Sequence, residues 1–205
     1  DGELTGRDEL TVIVRAASGA LVKDFNGDGL ADLLFQDGDG FLAAWFMDSA
    51  DLKSASLLNP NRLSDPQWQI VGADDFNADR QMDLIFQHTD GSLAAWMMNG
   101  VSLTSATLLN PYHPGDAGWR VAGVGDVNRD GRPDLVFQHR DGTLAVWLMN
   151  GTGLASASLL EPSHPGDPQW RVHGVGDFNA DGQVDLAFQH ADGTLAVWYL
   201  QGTRM

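Results

Sequence analysis

Residues 126–138 read DVNRDGRPDLVFQ, and closely similar stretches begin at Asp24, Asp75 and Asp177. The copies are spaced by 51 residues and fill the 205-residue chain. Such a period is typical of repeat folds in which each copy is one structural unit. We therefore interpret residues 1–205 as a single repeat domain, with repeat cores near 17–58, 68–109, 119–160 and 170–202.

Each copy contains four short apolar runs separated by Gly, Pro, Asn and Asp. In the third copy these runs predict strands over 119–126, 134–138, 143–149 and 156–160, with a tight Asp-Gly hairpin turn at 141–142. Both faces of 143–149 are apolar, so each sheet must be covered on both sides. Sheets stacked as blades around an axis meet this need. The sequence thus predicts an all-β fold, a β-propeller of four four-stranded antiparallel blades.

The two ends of the chain bear on ring closure. The last copy stops after its third apolar run, and the apolar segment LTVIV at 10–14 precedes the first copy. We expect this N-terminal strand to complete the last blade, which would remove an open sheet edge. Alternatively, 10–14 begins the first blade, and the chain is part of a larger array or forms a homodimer.

The acidic loop D-x-N-x-D-G-x-x-D occurs once in each copy and predicts a calcium site. Calcium takes six to eight oxygen ligands, which side chains at alternate positions of a tight loop can supply. The seventh position offers its main-chain carbonyl, and the ninth-position Asp closes the site. Phe137 and its equivalents occupy position twelve, where an EF-hand needs Glu, so the loop joins two strands instead.

The predicted metal ligands are the residues at positions one, three, five, seven and nine of each loop. They are Asp24, Asn26, Asp28, Leu30 and Asp32; Asp75, Asn77, Asp79, Gln81 and Asp83; Asp126, Asn128, Asp130, Arg132 and Asp134; and Asp177, Asn179, Asp181, Gln183 and Asp185. We expect up to four Ca²⁺ ions. The second site is expected to be the weakest, because Arg80 replaces the glycine that permits the sharp turn.

The stretches GDVNRDGRPDLVFQ at 125–138 and GDFNADGQVDLAFQ at 176–189, each followed by GTLAVW, resemble FG-GAP/VCBS repeats. The resemblance covers essentially the whole chain. It implies propeller blades with calcium in the loop between the first two strands, as in integrin α-subunit heads, secreted bacterial proteins and some fungal lectins. Propellers of that family usually have about seven blades, whereas this chain has four copies.

Composition and charge exclude several classes of function. The formal net charge is −16, from 28 acidic and 12 basic residues, which is unsuited to binding nucleic acid. No apolar run approaches the ~20 residues that span a bilayer, so no membrane insertion is expected. The absence of cysteine excludes disulfides. Every polar group recurs three or four times, whereas catalysis needs one asymmetric constellation, so we do not expect an enzyme.

Two repeated sets of side chains are candidate ligand-binding groups. Tryptophan opens the first strand of three copies, and histidine follows the second strand in the same copies. These residues are Trp68, Trp119 and Trp170, and His88, His139 and His190. Tryptophan stacks on sugar rings, but it also packs between blades, and a histidine in a QHxDG turn also bonds its own backbone.

Together these observations predict a secreted or cell-surface calcium-binding propeller that acts as a non-catalytic binding or adhesion module, with calcium in a structural role. Its ligand is a protein or a glycan. The alternatives are a calcium-stabilised lectin with repeated glycan pockets, an accessory domain of a larger secreted enzyme, and an engineered repeat scaffold. Millimolar extracellular calcium fills weak sites that cytosolic calcium leaves empty.

Overall fold

The computed structural model describes residues 21–205, and these residues form fifteen β-strands and no helix. It follows that this part of the chain holds no helix with the length and apolar character needed to cross a membrane. They form three hydrogen-bonded sheets of eight, four and three strands, and the eight-stranded sheet consists of two four-stranded antiparallel units joined by a single parallel pairing of Asn59 with Ser102. We call each of these two units, and each of the other two sheets, a blade. The predicted all-β propeller fold is thereby confirmed. The N-terminal strand expected over 10–14 lies outside the described residues.

The strand bounds follow the 51-residue repeat. Blade 1 comprises β1 (Leu21–Lys23), β2 (Asp32–Gln36), β3 (Phe41–Asp48) and β4 (Asp51–Arg62). Blade 2 comprises β5 (Trp68–Asp74), β6 (Asp83–His88), β7 (Leu93–Asn99) and β8 (Ser102–Leu108). Blade 3 comprises β9 (Trp119–Gly125), β10 (Asp134–His139), β11 (Leu144–Asn150) and β12 (Gly153–Leu159). Blade 4 comprises β13 (Trp170–Gly176), β14 (Asp185–His190) and β15 (Leu195–Trp198).

Hairpin turns connect the second and third strands at the predicted Asp-Gly pairs. Gly91, Gly142 and Gly193 have φ angles of 99°, 97° and 91°. Glycine adopts this left-handed region at little cost. The main difference from the predicted bounds is β12, which begins at Gly153 instead of Ser156, because the chain re-enters the ladder directly after the turn opposite Asn150.

Three apolar clusters fill the three junctions between successive blades. At the central junction, Ile85, Leu93 and Ala95 of blade 2 pack against Leu135 and Phe137 of blade 3. We call the side of a blade that meets the next blade in sequence its trailing face, and the opposite side its leading face. Both the leading and the trailing face of a blade that lies between two others are therefore apolar, as the sequence predicts. The mid-strand tryptophans Trp96, Trp147 and Trp198 lie in these junctions, where Trp147 is 8% exposed.

One glutamine per junction also fastens each blade to the next. The Gln87 amide donates to the carbonyl of Trp119 at 2.9 Å, and its oxygen accepts the N–H of Val121 at 3.0 Å. Gln36 bonds blade 2, and Gln138 bonds blade 4, in the same way. The glutamine side chain thus bonds the first strand of the next blade through both a donor and an acceptor, as the backbone of a neighbouring strand would.

The outer parts of neighbouring blades are joined by backbone hydrogen bonds. The N–H of Asn59 donates to the carbonyl of Val101 at 2.8 Å, and Asn110 and Glu161 make the equivalent bonds. On the first strand of blade 2, Gly72 has no room for a side chain, because a Cβ there would clash with Val124 on the first strand of blade 3. Neighbouring blades are therefore in close contact both at their first strands and near their fourth strands.

Candidate functional site

The four acidic loops connect the first and second strands of their blades, as predicted, and share one hydrogen-bond pattern. In the third loop, Asp126 Oδ1 accepts the N–H of Asp130 at 3.0 Å, and its Oδ2 accepts the N–H of Gly131 at 2.8 Å. The Asn128 side-chain oxygen also accepts the N–H of Asp130 at 3.0 Å. The equivalent bonds recur in the other three loops. The first-position carboxylate therefore organises each loop.

Each ninth-position Asp is fully buried at the base of its loop. Asp134 Oδ2 accepts the N–H of Val127 at 3.0 Å, and Oδ1 accepts the N–H of Met149 on β11 at 2.8 Å. Asp32, Asp83 and Asp185 make the same two contacts. Burial raises the pKa of Asp83 and of Asp134, although these backbone donors oppose the rise. The ninth-position Asp thus ties the loop to the third strand.

The loop backbone is left-handed at two positions in all four copies. Position four has φ of 76° at Gly27 and 62° at Ala78, Arg129 and Ala180. Position six has φ of 67° at Arg80, and the other copies have glycine there with φ of 78–83°. Non-glycine residues in this region cost of order 1–3 kcal/mol and persist where the surroundings over-determine them. Such strain clusters at functional sites.

Three of the four seventh-position side chains fasten their loops to the neighbouring hairpin. The Gln81 side-chain oxygen accepts the N–H of Gly100 at 3.1 Å, and Gln183 accepts that of Gly202 at 2.9 Å. Arg132 instead donates to the Asn150 side-chain oxygen at 2.9 Å. Because these side chains are bonded to the hairpin, the main-chain carbonyl remains the predicted metal ligand at this position.

The loops fit calcium by the chemistry of their donors. Positions one, three and five can each supply a carboxylate or amide oxygen, which a hard cation prefers. Their oxygens accept backbone N–H groups, and residues 21–205 contain no group of three or more acidic or histidine side chains already arranged around a metal position. Calcium binding would therefore require these side chains to turn inward on a loop backbone that is already curled.

A cleft of about 750 Å³ lies between the acidic loops of blades 2 and 3. Asp75, Asn77 and Asp126 line it, together with Arg132 and Met97. The cleft is thus lined both by charged side chains of the loops and by the apolar side chain of Met97. This surface is a candidate contact site for a ligand on the loop side of the protein.

The predicted tryptophans and histidines form three equivalent clusters where the second strands end. His139 Nδ1 lies 2.8 Å from Asp141 and its Nε2 lies 3.4 Å from Asp116. The ring packs against Trp119, with centroids 5.0 Å apart and the planes tilted by 51°. The clusters around His88 and His190 have the same geometry. The three predicted pairs are thus brought together, and each histidine is held between two carboxylates.

The pKa of Asp90, Asp141 and Asp192, the carboxylates next to histidine Nδ1, is lowered, which favours their ionised form. The N–H of Ser92 and the ring of His88 lower the pKa of Asp90 to about 2. The N–H of Thr194 lowers the pKa of Asp192 to about 2. In return, Asp192, together with Asp167, raises the pKa of His190 above its usual value.

Arginines line grooves beside these clusters and were not among the predicted ligand-binding residues. A groove of about 650 Å³ is lined by Arg140, Arg171 and His190, and an adjoining groove of about 460 Å³ by Arg120, Arg140 and Arg171. Arg120 and Arg171 are equivalent in the repeat, whereas the second copy has Gln69. The sequence signal that could have identified these residues is the pair of equivalent arginines in a strongly acidic chain.

Comparison with known families identifies the repeat. The FG-GAP-like repeat model matches residues 75–137 and 126–188, which together cover 75–188 and more than half of the chain. The chain therefore belongs to the FG-GAP-like repeat family, which confirms the resemblance. No curated protein sequence matches the chain.

One solved structure shares the fold at low sequence identity, and a second aligns more weakly. A chain of the Tc holotoxin pore of Photorhabdus luminescens, carrying the mutation TccC3-D651A, aligns with a TM-score of 0.54 and 17% identity over 87% of this chain. BBS1N, solved in complex with ARL6DN, aligns with a TM-score of 0.42 and 14% identity, also over 87%. This chain spans 9% of the toxin chain and 52% of BBS1N. The family and the fold are those of a binding or structural module.

Proposed function

We propose that the chain is a calcium-binding, non-catalytic binding or adhesion module of a secreted or cell-surface protein. The observation that carries the proposal is the left-handed backbone shared by four acidic loops, including the non-glycine residues Ala78, Arg129 and Ala180. A metal that draws the first, third and fifth side chains together offsets this strain. Calcium is then structural, and the ligand binds elsewhere on the blades.

Calcium binding is tested by titration calorimetry together with thermal unfolding in calcium and in EGTA. We expect three or four sites and a lower Tm in EGTA, since a ligand of the folded state stabilises it by mass action. Asp130→Asn should remove one site. Asp51→Asn is the matched control, because Asp51 is exposed and lies outside the loops. If EGTA leaves the Tm unchanged and no calcium binds, the calcium proposal fails.

A lectin function is the second candidate, favoured by the grooves beside the Trp-His clusters. Arg140, Arg171 and His190 would offer hydrogen-bond donors to an acidic sugar. A glycan array with and without calcium separates the candidates. Binding to one class of acidic glycan that is lost in Arg171→Ala supports the lectin. Binding to a protein ligand without glycan binding supports the adhesion module, and hydrolase or lyase activity would contradict both.

A further inference from the structure

The trailing face of blade 4 is exposed, although the same face is covered in every other blade. Leu195 is 73% exposed and Val197 is 40% exposed, whereas Leu144 and Val146 of blade 3 are 0% and 1% exposed. Phe178 is 50% exposed, against 1% for Val127 at the equivalent position. An apolar face like those packed in the three junctions is thus left uncovered by residues 21–205.

Gln189 on the same face repeats the contrast. Gln87 and Gln138, its equivalents, are 3% and 6% exposed and bond the backbone of the next blade. Gln189 is exposed, and its side-chain amide bonds no other group in the described part of the chain. Blade 4 therefore carries both parts of the blade-to-blade contact, the apolar face and the glutamine, and no other blade within residues 21–205 packs on them.

The leading face of blade 1 is the matching half. Leu33 and Phe35 are half-buried, whereas Leu84 and Phe86 of blade 2 are 0% and 1% exposed against the preceding blade. Trp45 is also half-buried and packs on Phe35, with ring centroids 4.9 Å apart. These are the side chains that, in blades 2–4, fit against a trailing face.

The two end faces of one chain do not cover each other, because Leu195 and Val197 stay exposed. From these faces we infer that a second copy of the chain docks head to tail, with blade 4 of one copy on blade 1 of the other. The contact repeats the three junctions within the chain, so its chemistry is already known to be complementary. Because the interface is heterologous, two copies can satisfy both ends by closing one ring.

The inference is tested by sedimentation equilibrium and light scattering of the 205-residue chain in calcium-containing buffer, between about 1 and about 100 μM. We expect a dimer. Leu195→Lys should raise the dimer Kd at least about tenfold, since it places a charge within an apolar contact. Leu159→Lys is the matched control, because Leu159 is 54% exposed on β12 and lies outside both end faces.

A second variant tests the polar part of the contact. Gln189→Ala should weaken association without changing the circular dichroism spectrum of the folded chain, because the side chain is already exposed. A wild-type chain that stays monomeric at the highest concentration would overturn the inference. So would a dimer that Leu195→Lys and Leu159→Lys affect equally. A ladder of species larger than a dimer would overturn ring closure by two copies.

Discussion

Replacing Gln87 by alanine removes both hydrogen bonds that its side chain makes to blade 3. The side chain is 3% exposed, so the loss occurs inside a packed junction. The N–H of Val121 loses its acceptor, and this group is buried, since Val121 is 9% exposed. The carbonyl of Trp119 loses a donor in a partly buried setting.

The expected cost of Gln87→Ala follows from the burial of these two groups. An unpaired buried N–H costs about 1–3 kcal/mol, and a lost bond to a partly buried carbonyl about 0.5–1.5 kcal/mol. The free energy of unfolding should therefore fall by about 1.5–4.5 kcal/mol. For a chain of this length each kcal/mol lowers the Tm by about 2–4 °C.

Gln189→Ala is the matched control for this substitution. It makes the same chemical change at the equivalent position of blade 4, where the side chain is exposed, and should change stability by less than about 0.5 kcal/mol. Urea unfolding of both variants at low protein concentration, where the chain is a monomer, gives the comparison. Equal midpoints for Gln87→Ala and Gln189→Ala would refute the role assigned to the glutamine in the junction.

Three further predictions concern the loops and the histidine clusters. Arg80→Gly should raise the Tm in EGTA and tighten the weakest calcium site, since glycine relieves a φ of 67°; an unchanged Tm and affinity would argue against strain there. Asp134→Ala leaves two buried N–H groups without an acceptor and should lower the free energy of unfolding in urea by about 2–6 kcal/mol. An unchanged urea midpoint would contradict the structural role of Asp134. His190 has a raised pKa in the folded state, so its stabilisation is full below its unfolded pKa of about 6.5 and is lost as the pH rises through the folded value. The Tm difference between wild type and His190→Asn should accordingly be larger at acidic than at alkaline pH, and an equal difference at both would count against it.

The repeat made most of the fold predictable from the sequence. The 51-residue period and the apolar runs placed the strands of blade 3 to within a few residues, from Trp119 onward. The predicted acidic loops lie between first and second strands, because the Asp, Asn and Gly of each loop favour a turn wherever two β-patterned runs flank them.

Features that depend on the next blade were not predictable from local pattern. Gln87 bonds a backbone 32 and 34 residues further along the chain, so nothing near it in sequence indicates its partner. The left-handed conformation of Ala78 is likewise hidden, because alanine does not indicate a positive φ as glycine does. The exposure of Leu195 depends on whether a neighbour covers it, and its sequence context is nearly that of the buried Leu144.

The three apolar junctions also set how the molecule opens. Blades 2 and 3 each have two neighbours, whereas within residues 21–205 blade 4 has one, and stability in such arrays is close to a sum of nearest-neighbour terms. Amide protons on β14 should therefore exchange with solvent faster than those on β10, through fraying that begins at the end of the array. A second copy seated on blade 4 would make it an interior blade, and its slowest amides would then report association without any label.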